Sequence, residues 1–458
     1  MAELIVSISG VRGIVGDSLT PVVAAEFGMA YATYLTEQAA GVEEARVCVG
    51  RDSRPSGPMI ARALTAGLLA GGCDVVDLGI VTTPGVGLMI QQLRAAGGVV
   101  LTASHNPVGY NGIKFLRYDG IAYPGDEVVK IQQNYFDKTF SLKDAVGIGQ
   151  AQDNSDTHQI HTDSVLSICE PEKIAAAGFK VLLDSVNGAG CVGTALLLQR
   201  LGCEVVHLNG EPTGHFAHVP EPIAENLTEV CPEVPRNGAV VGFVQDPDAD
   251  RLALIDEKGT FVGEEYTLAL AAKYMFKKHP GARAAANLST SRMIDDIAAA
   301  AGGTVIRTPV GEAHVANTMK REDCLIGGEG NGGVIDLRVV PIRDSMVGIA
   351  LILQLLADTG KSLSELIEEI PRYEIVKTKF PCERAEAAAV LERVKEHFAG
   401  GGDGAQVDTR DGIRVDLDQG WVQLRASNTE PIVRLMAESK DAIQAQALIE
   451  KVRQVAGL

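Results

Sequence analysis

Hydrophobic and polar positions follow one recurring order along this chain. An apolar, strand-like run enters a polar loop, an apolar-periodic helix follows, and a glycine leads into a second strand-like run. The order appears first between Arg46 and Gly79, as RVCVGRDSRPSG, MIARALTAGLLAGG and CDVVDLG. It returns from Lys180 to Asn209 and again from Ala282 to Gly311. A strand, a helix and a strand of these lengths suit a crossover between parallel strands. Copies spaced on the order of 100 residues apart predict related α/β domains, not a short-period solenoid.

The pattern changes near Pro371, which ends the helix SLSELIEEI before it. A strand (Glu374 to Phe380), a helix (Ala385 to Phe398) and a glycine-rich break (Gly400 to Gly404) follow. Three short strands are then expected near Gly412 to Leu417, Trp421 to Arg425 and Ile432 to Glu438, and a last helix from Ala442. Grouped strands with two helices predict a small α+β domain. The fold class is therefore α/β, with three related mixed α/β domains and a smaller C-terminal α+β domain. Their expected bounds are 1–150, 151–252, 253–368 and 369–458.

Composition narrows the function. Hydrophobic residues make up 46% and aromatics 5% of the chain, enough for large aliphatic cores. A formal charge of −18 argues against nucleic acid as a partner, which needs a basic footprint. A small anionic substrate fits only a locally cationic pocket. The eight cysteines form no CxxC pair or zinc spacing and read as small buried hydrophobes. Together with the acidic balance they predict a reduced, cytoplasmic enzyme. The start MAELIVSISG lacks a cationic lead into an apolar stretch, so no signal peptide is expected. The longest apolar run, Met346 to Ala357, is too short to span a bilayer, and no membrane partner is expected.

Chemistry concentrates in a few strings. In GGVVLTASHNPVGYNGIK a strand from Gly98 to Leu101 breaks into a loop with two turn signals, Asn106-Pro107 and Asn111-Gly112. Ser104 thus sits at the mouth of a buried strand, with His105 and Lys114 close in sequence. A phosphorylated serine needs cationic partners, and Lys114, Arg12 and a metal ion are candidates. The bland alternative is a loop whose side chains only cap its own backbone.

In VVGFVQDPDADRLALID, Asp246, Asp248 and Asp250 recur at every second position between two apolar strands. In extended backbone that spacing turns three carboxylates to one side. They repel one another unless a hard cation such as Mg²⁺ sits among them. Glu257 completes an apparent calcium-loop spacing, but Arg251 stands where that loop needs glycine, and a strand follows instead of a helix.

WVQLRASNTEPIVRLMAES reads as strand, loop, strand. Arg425, Ser427, Asn428 and Thr429 offer the donors a phosphate dianion wants, though a hydrogen-bonded hairpin loop fits equally. In GGEGNGG, Glu329 and Asn331 could bond vicinal sugar hydroxyls. SGVRGIVG (Ser9 to Gly16) lacks dinucleotide-site spacing, and Arg12 within it either approaches a phosphate or sits in a plain turn. His314 reads as structural.

In order and over nearly the full chain, these strings resemble the α-D-phosphohexomutase family. TASHNP looks like its phosphoserine loop, DPDADR its metal loop, GEGNGG its sugar-binding loop and RASNTEP its phosphate-binding loop. The resemblance implies four domains around a central cleft, each giving one loop. It makes Ser104 the phosphoryl carrier and gives Mg²⁺ to Asp246, Asp248, Asp250 and the phosphoserine. Arg12, His105, Lys114 and Arg251 would line the reacting centre. Glu329 and Asn331 would hold sugar hydroxyls, and Arg425, Ser427, Asn428 and Thr429 the non-reacting phosphate. The family's usual G-E-x-S-G-H has Asn331 in place of the serine and Gly333 in place of the histidine, a form more like archaeal-type phosphoglucosamine mutases.

The expected activity interconverts hexose 6-phosphate and hexose 1-phosphate, with a hexose 1,6-bisphosphate as intermediate and activator. Glucosamine 6-phosphate is the preferred substrate, and glucose or mannose phosphates are the alternative. A metal-dependent phosphatase and a non-catalytic sugar-phosphate sensor are rivals of other classes; the intact serine and three acids speak against the sensor. The expected assembly is a monomer or homodimer.

Overall fold

The first repeat folds as the strand Ala45–Arg51, the helix Gly57–Ala70 and the strand Cys73–Ile80, its two strands parallel. The second pairs Lys180–Asp184 with Glu204–Leu208, also in parallel, around the helix Gly190–Arg200. The third pairs Arg283–Asn287 with Thr304–Thr308 around Met293–Ala300. Central strands of such sheets are covered on both faces, which is why they read as unbroken apolar runs. The computed structural model describes residues 3–7, 9–38, 45–399, 405–426 and 432–458.

The described residues form two compact units, Met1–Tyr274 with Asn331–Glu365, and Met275–Gly330 with Leu366–Leu458. In the first unit a seven-stranded sheet runs in the order Ile5–Ser7, Gly10–Ile14, Tyr110–Arg117, Gly97–Leu101, Ala45–Arg51, Cys73–Ile80, Ala151–Asp153. Gly97–Leu101 is buried throughout, parallel to Ala45–Arg51 and antiparallel to Tyr110–Arg117. Its C-terminal end delivers Ser104. The register sets Lys114 opposite Val100, and Arg12 opposite Gly112.

A second sheet of this unit orders Leu252–Asp256, Val241–Gln245, Lys180–Asp184 and Glu204–Leu208. Val241–Gln245 and Leu252–Asp256 are antiparallel and fully buried, so the three aspartates lie in the connection between them. The long apolar run falls in the helix Ser345–Thr359, buried from Ser345 to Leu356. Among the described residues no helix is long and apolar enough to cross a membrane.

The second unit holds Thr304–Thr308, Arg283–Asn287 and Ile326–Glu329 as parallel neighbours. It also holds an antiparallel sheet of five strands, in the order Glu374–Pro381, Ile432–Ser439, Gly420–Ala426, Ile413–Leu417, Gln406–Asp408. The helices Arg384–Phe398 and Ala442–Ala456 cover one face. Val390, Val394, Leu448 and Ile449 meet Val415, Val422, Val433 and Leu435 there.

Three readings change. The Asn111-Gly112 turn signal falls inside the strand Tyr110–Arg117, where Asn111 and Gly112 pair with Gly13 and Arg12. The run around Arg12 is no turn: Gly10–Ile14 is a strand, held by antiparallel pairing on both sides. Gln406–Asp408 is a further strand, which the sequence reading lacked. The glycine-rich break Gly400 to Gly404 lies outside the described residues.

Candidate active site

Ser104 is 2% exposed and adopts a left-handed backbone, with φ of 50°. A non-glycine residue holds that conformation only when its surroundings fix it. Here they do. The Ser104 N–H donates to Thr102 Oγ1 at 2.8 Å, and Thr102 Oγ1 donates to Asp52 Oδ2 at 2.7 Å. Asp52 also accepts from Arg54 Nε at 2.9 Å. The Arg54 guanidinium, fully buried, donates to the carbonyls of Ser104, Asn106 and Pro107 at 2.7 Å each and of Tyr110 at 3.0 Å. All five guanidinium N–H groups thus have an acceptor in Asp52 or in the serine loop. Arg12 reaches the same loop through Asn106 Oδ1 at 3.1 Å.

The aspartate loop comes up to this serine. Ser104 Oγ donates to Asp246 Oδ2 at 3.2 Å. Asp246, Asp248 and Asp250 are all buried, and each offers one oxygen in a set lying within 4.8 Å of one another. Their other contacts are divided. Asp248 Oδ2 accepts from Thr83 Oγ1 at 2.7 Å and Lys114 Nζ at 3.0 Å. Asp250 Oδ2 accepts from Arg343 at 2.6 Å, and Asp246 Oδ1 from the Arg251 N–H at 3.2 Å. Asp248 Oδ1 and Asp250 Oδ1 are buried with no hydrogen-bond partner. Buried carboxylate oxygens left so are costly unless a cation takes them. An all-oxygen donor set of this kind fits a hard divalent ion such as Mg²⁺.

Helix starts fix the loop from behind. The Thr83 N–H donates to the Asp248 carbonyl at 3.0 Å, and Ser345 Oγ to the Ala249 carbonyl at 2.7 Å. Thr83 opens the helix Thr83–Gln92, and Ser345 opens Ser345–Thr359. Glu257 does not turn to the loop; it accepts from the Ser364 N–H at 3.2 Å.

Charge in the site is uneven. Burial, then the neighbouring Asp248 and Asp250, push the Asp246 carboxyl well above the usual range. Burial acts the same way on Asp248, but Lys114 and Thr83 outweigh it and hold that carboxyl down. Burial pulls Lys114 down, and Asp248 and Asp250 more than restore it, so its ammonium is stabilised. His105 Nδ1 lies 3.4 Å from Ser104 Oγ. Burial first, then Arg251, lower the His105 pKa and favour the neutral ring. Arg251 Nε stands 3.8 Å from Asp250 and 4.0 Å from Asp246.

In the second unit, Glu329 is buried at the end of Ile326–Glu329. It accepts from Asn287 Nδ2 at 2.7 Å and the Gly311 N–H at 3.0 Å. Asp411 joins neighbouring parts of the same unit: Oδ1 accepts from Arg425 Nε at 3.0 Å and Oδ2 from the Val310 N–H at 2.8 Å. Arg425 is thus linked to Glu329 through Asp411 and the adjacent N–H groups of Val310 and Gly311. Asn331 belongs to the first unit, and its side-chain oxygen is buried without a partner. Ser427, Asn428 and Thr429 lie outside the described residues. His314 lies in the helix Glu312–Glu322.

The structure therefore gathers Ser104, His105, Lys114, Arg12, Arg251 and the three aspartates in the first unit. It adds Asp52, Arg54, Thr83, Thr102 and Arg343, which the sequence reading did not single out. Asp52 and Arg54 lie in the string RDSR of the first repeat, where two arginines flank an acid between a buried strand and a helix. That was the available signal.

Comparison with known proteins follows the same lines. Residues 4–142, 159–259 and 263–373 match phosphoglucomutase/phosphomannomutase alpha/beta/alpha domains I, II and III, and residues 378–455 match the C-terminal domain of that family. A Thermococcus kodakarensis protein named "Phosphoglucomutase/phosphomannomutase" is 39% identical, over 96% of either chain. A Methanopyrus kandleri protein named "Probable phosphoglucosamine mutase" is 36% identical, over 96% of this chain and 95% of its own. The crystal structure of a phosphoglucomutase/phosphomannomutase family protein from Burkholderia thailandensis superposes with a TM-score of 0.86 at 26% identity, covering 99% of this chain and 98% of its own.

Proposed function

The chain belongs to the phosphoglucomutase/phosphomannomutase family of phosphohexomutases, and on that premise we propose that it carries a phosphoryl group on Ser104 while converting a hexose 6-phosphate to a hexose 1-phosphate. As a phosphohexomutase it is an isomerase. The carrier role rests above all on one contact, the 3.2 Å between Ser104 Oγ and Asp246 Oδ2 inside the three-aspartate cluster.

In the proposed reaction the Ser104 O–P bond breaks as an O–P bond forms to a sugar hydroxyl. The proton of that hydroxyl ends on the serine oxygen. His105 Nδ1, 3.4 Å from that oxygen, supports a proton-carrying role for this ring. Lys114 and Arg12 supply positive charge for the transferring oxygens. Asp246, Asp248, Asp250 and the phosphoserine would hold Mg²⁺, which spreads charge from the transferring oxygens when bound. The hexose 1,6-bisphosphate then turns, and its other phosphate returns to Ser104 by the reverse step. Glu329 and Asn331 would bond sugar hydroxyls. Arg425, with Ser427, Asn428 and Thr429, would hold the phosphate that is not reacting.

Glucosamine 6-phosphate is the favoured substrate, supported by the names of relatives such as that from Methanopyrus kandleri. Glucose and mannose phosphates form the second reading, supported by the name of the Thermococcus kodakarensis relative. A coupled assay with all three 6-phosphates, primed with a hexose 1,6-bisphosphate and Mg²⁺, separates them. The highest kcat/KM is expected for glucosamine 6-phosphate. Stoichiometric release of inorganic phosphate would instead make the protein a phosphatase.

A further inference from the structure

The stem of Arg343 lies across Gly333. A Cβ at residue 333 would stand 2.1 Å from Arg343 Cδ and 2.7 Å from Cγ, so any side chain there would displace the arginine. From this seat the guanidinium donates to Asp250 Oδ2 at 2.6 Å in a buried setting, Arg343 being 9% and Asp250 1% exposed. Thr83 and Lys114 occupy Asp248 Oδ2 in the same way, and the Arg251 N–H occupies Asp246 Oδ1. The oxygens without a hydrogen bond are Asp248 Oδ1 and Asp250 Oδ1, the latter 3.8 Å from Arg251 Nε. At Asp248 and Asp250, then, one oxygen is taken by a hydrogen bond from a protein donor and its twin carries none.

Such a pattern discriminates between cations by geometry. Mg²⁺ is small and takes single oxygens at octahedral positions. Ca²⁺ is larger and gains from six to eight oxygens, often both from one carboxylate. We propose that Arg343, seated over Gly333, is a positioning residue that restricts Asp250 to one-oxygen coordination and so selects a small divalent ion against calcium. The proposal rests on the reading of the three aspartates as a metal site.

Loss of Arg343 also removes a positive charge, which favours any dication. The ratio of calcium to magnesium affinity cancels that effect, because the two ions carry equal charge. The test is calorimetric titration of MgCl₂ and, separately, CaCl₂ into the purified full chain, as wild type, Arg343→Met, Arg343→Lys and Gly333→Ala. The wild type is expected to favour Mg²⁺ relative to both Arg343→Met and Gly333→Ala. In those two variants the ratio should move toward calcium by on the order of tenfold, the scale on which outer contacts tune a metal site. Gly333→Ala keeps the arginine's charge and needs no left-handed backbone, so it tests the seat itself and guards against misfolding of Arg343→Met. Arg343→Lys, which retains a donor, should stay nearer the wild type.

A ratio unchanged in both Arg343→Met and Gly333→Ala would overturn the proposal. So would a shift in Arg343→Met with Gly333→Ala at the wild-type ratio. A wild type that binds neither ion would overturn the metal reading and the proposal with it. Phosphorylation of Ser104, measured separately, would then still stand or fall by itself.

Discussion

Arg54 donates to the backbone carbonyl of Ser104 at 2.7 Å from a position with no solvent exposure. Its other donors go to Asp52 and to the carbonyls of Asn106, Pro107 and Tyr110, so one side chain fixes the loop's course around a left-handed serine. Arg54→Met leaves the buried Asp52 carboxyl without its cationic partner. Breaking such a buried pair costs about 3–5 kcal/mol. The expected result is a fall in unfolding free energy of that size by denaturant titration, and a loss of kcat in protein that remains folded. Wild-type kcat and stability would show that the loop holds itself.

Asp411 bonds both Arg425 and the Val310 N–H. If Arg425 holds the non-reacting phosphate, Asp411→Ala leaves that guanidinium unoriented. Loss of a charge-assisted hydrogen bond of this kind costs about 1.5–3 kcal/mol. KM for the hexose monophosphate should rise by roughly tenfold or more in Asp411→Ala and in Arg425→Ala, with kcat changed far less. The double variant should be little worse than Arg425→Ala. Steady-state kinetics on the three variants checks this, and additive effects would separate Asp411 from Arg425.

A pH dependence follows from His218. Its Nε2 bonds Asp184 at 3.1 Å and its Nδ1 bonds the Val219 carbonyl at 2.9 Å, so both ring nitrogens face acceptors, as an imidazolium requires. Burial pulls its pKa down, but the hydrogen bond and charge of Asp184 outweigh burial and raise it above the ordinary value. A group raised in the folded state stabilises fully below its unfolded pKa, about 6.5 for histidine, and loses that contribution as pH rises through the folded value. The stability gap between wild type and His218→Gln should therefore shrink as pH rises from about 6.5. Denaturant unfolding across that range checks it; a gap that widens would reverse the assignment.

The eight cysteines are all unpaired. Burial pushes the thiols of Cys48, Cys73 and Cys191 up to about 12, and those of Cys169, Cys203 and Cys324 up to about 11. Thiolates are the reactive form, so folded protein at pH 8 should react slowly with an aromatic disulfide reagent at these positions. All eight should react once the chain is unfolded. Rapid reaction of Cys48 or Cys73 in folded protein would contradict the burial.

What the sequence revealed and what it hid divide by distance along the chain. Ser104 and the three aspartates were legible because each sits in a short string between apolar runs, and a strand buried on both faces reads as such a run. Thr83 and Arg343 were not, because they meet the aspartate loop across 165 and 93 positions, contacts that only the assembled sheets bring about. Arg54 was visible within RDSR, but its acceptors are backbone carbonyls 50 to 56 positions away, which carry no residue-type signal. The strand Gly10–Ile14 was hidden by its glycines, whose low strand preference is overridden by pairing on both edges.

The central claim is that Ser104 lends and reclaims the phosphoryl group. Incubation with hexose 1,6-bisphosphate labelled in its phosphates, followed by rapid quench, digestion and peptide mass spectrometry, tests it directly. The account predicts label on the peptide containing Ser104, and neither label nor mutase turnover in Ser104→Ala. Label on another residue, or full turnover in Ser104→Ala, would contradict it.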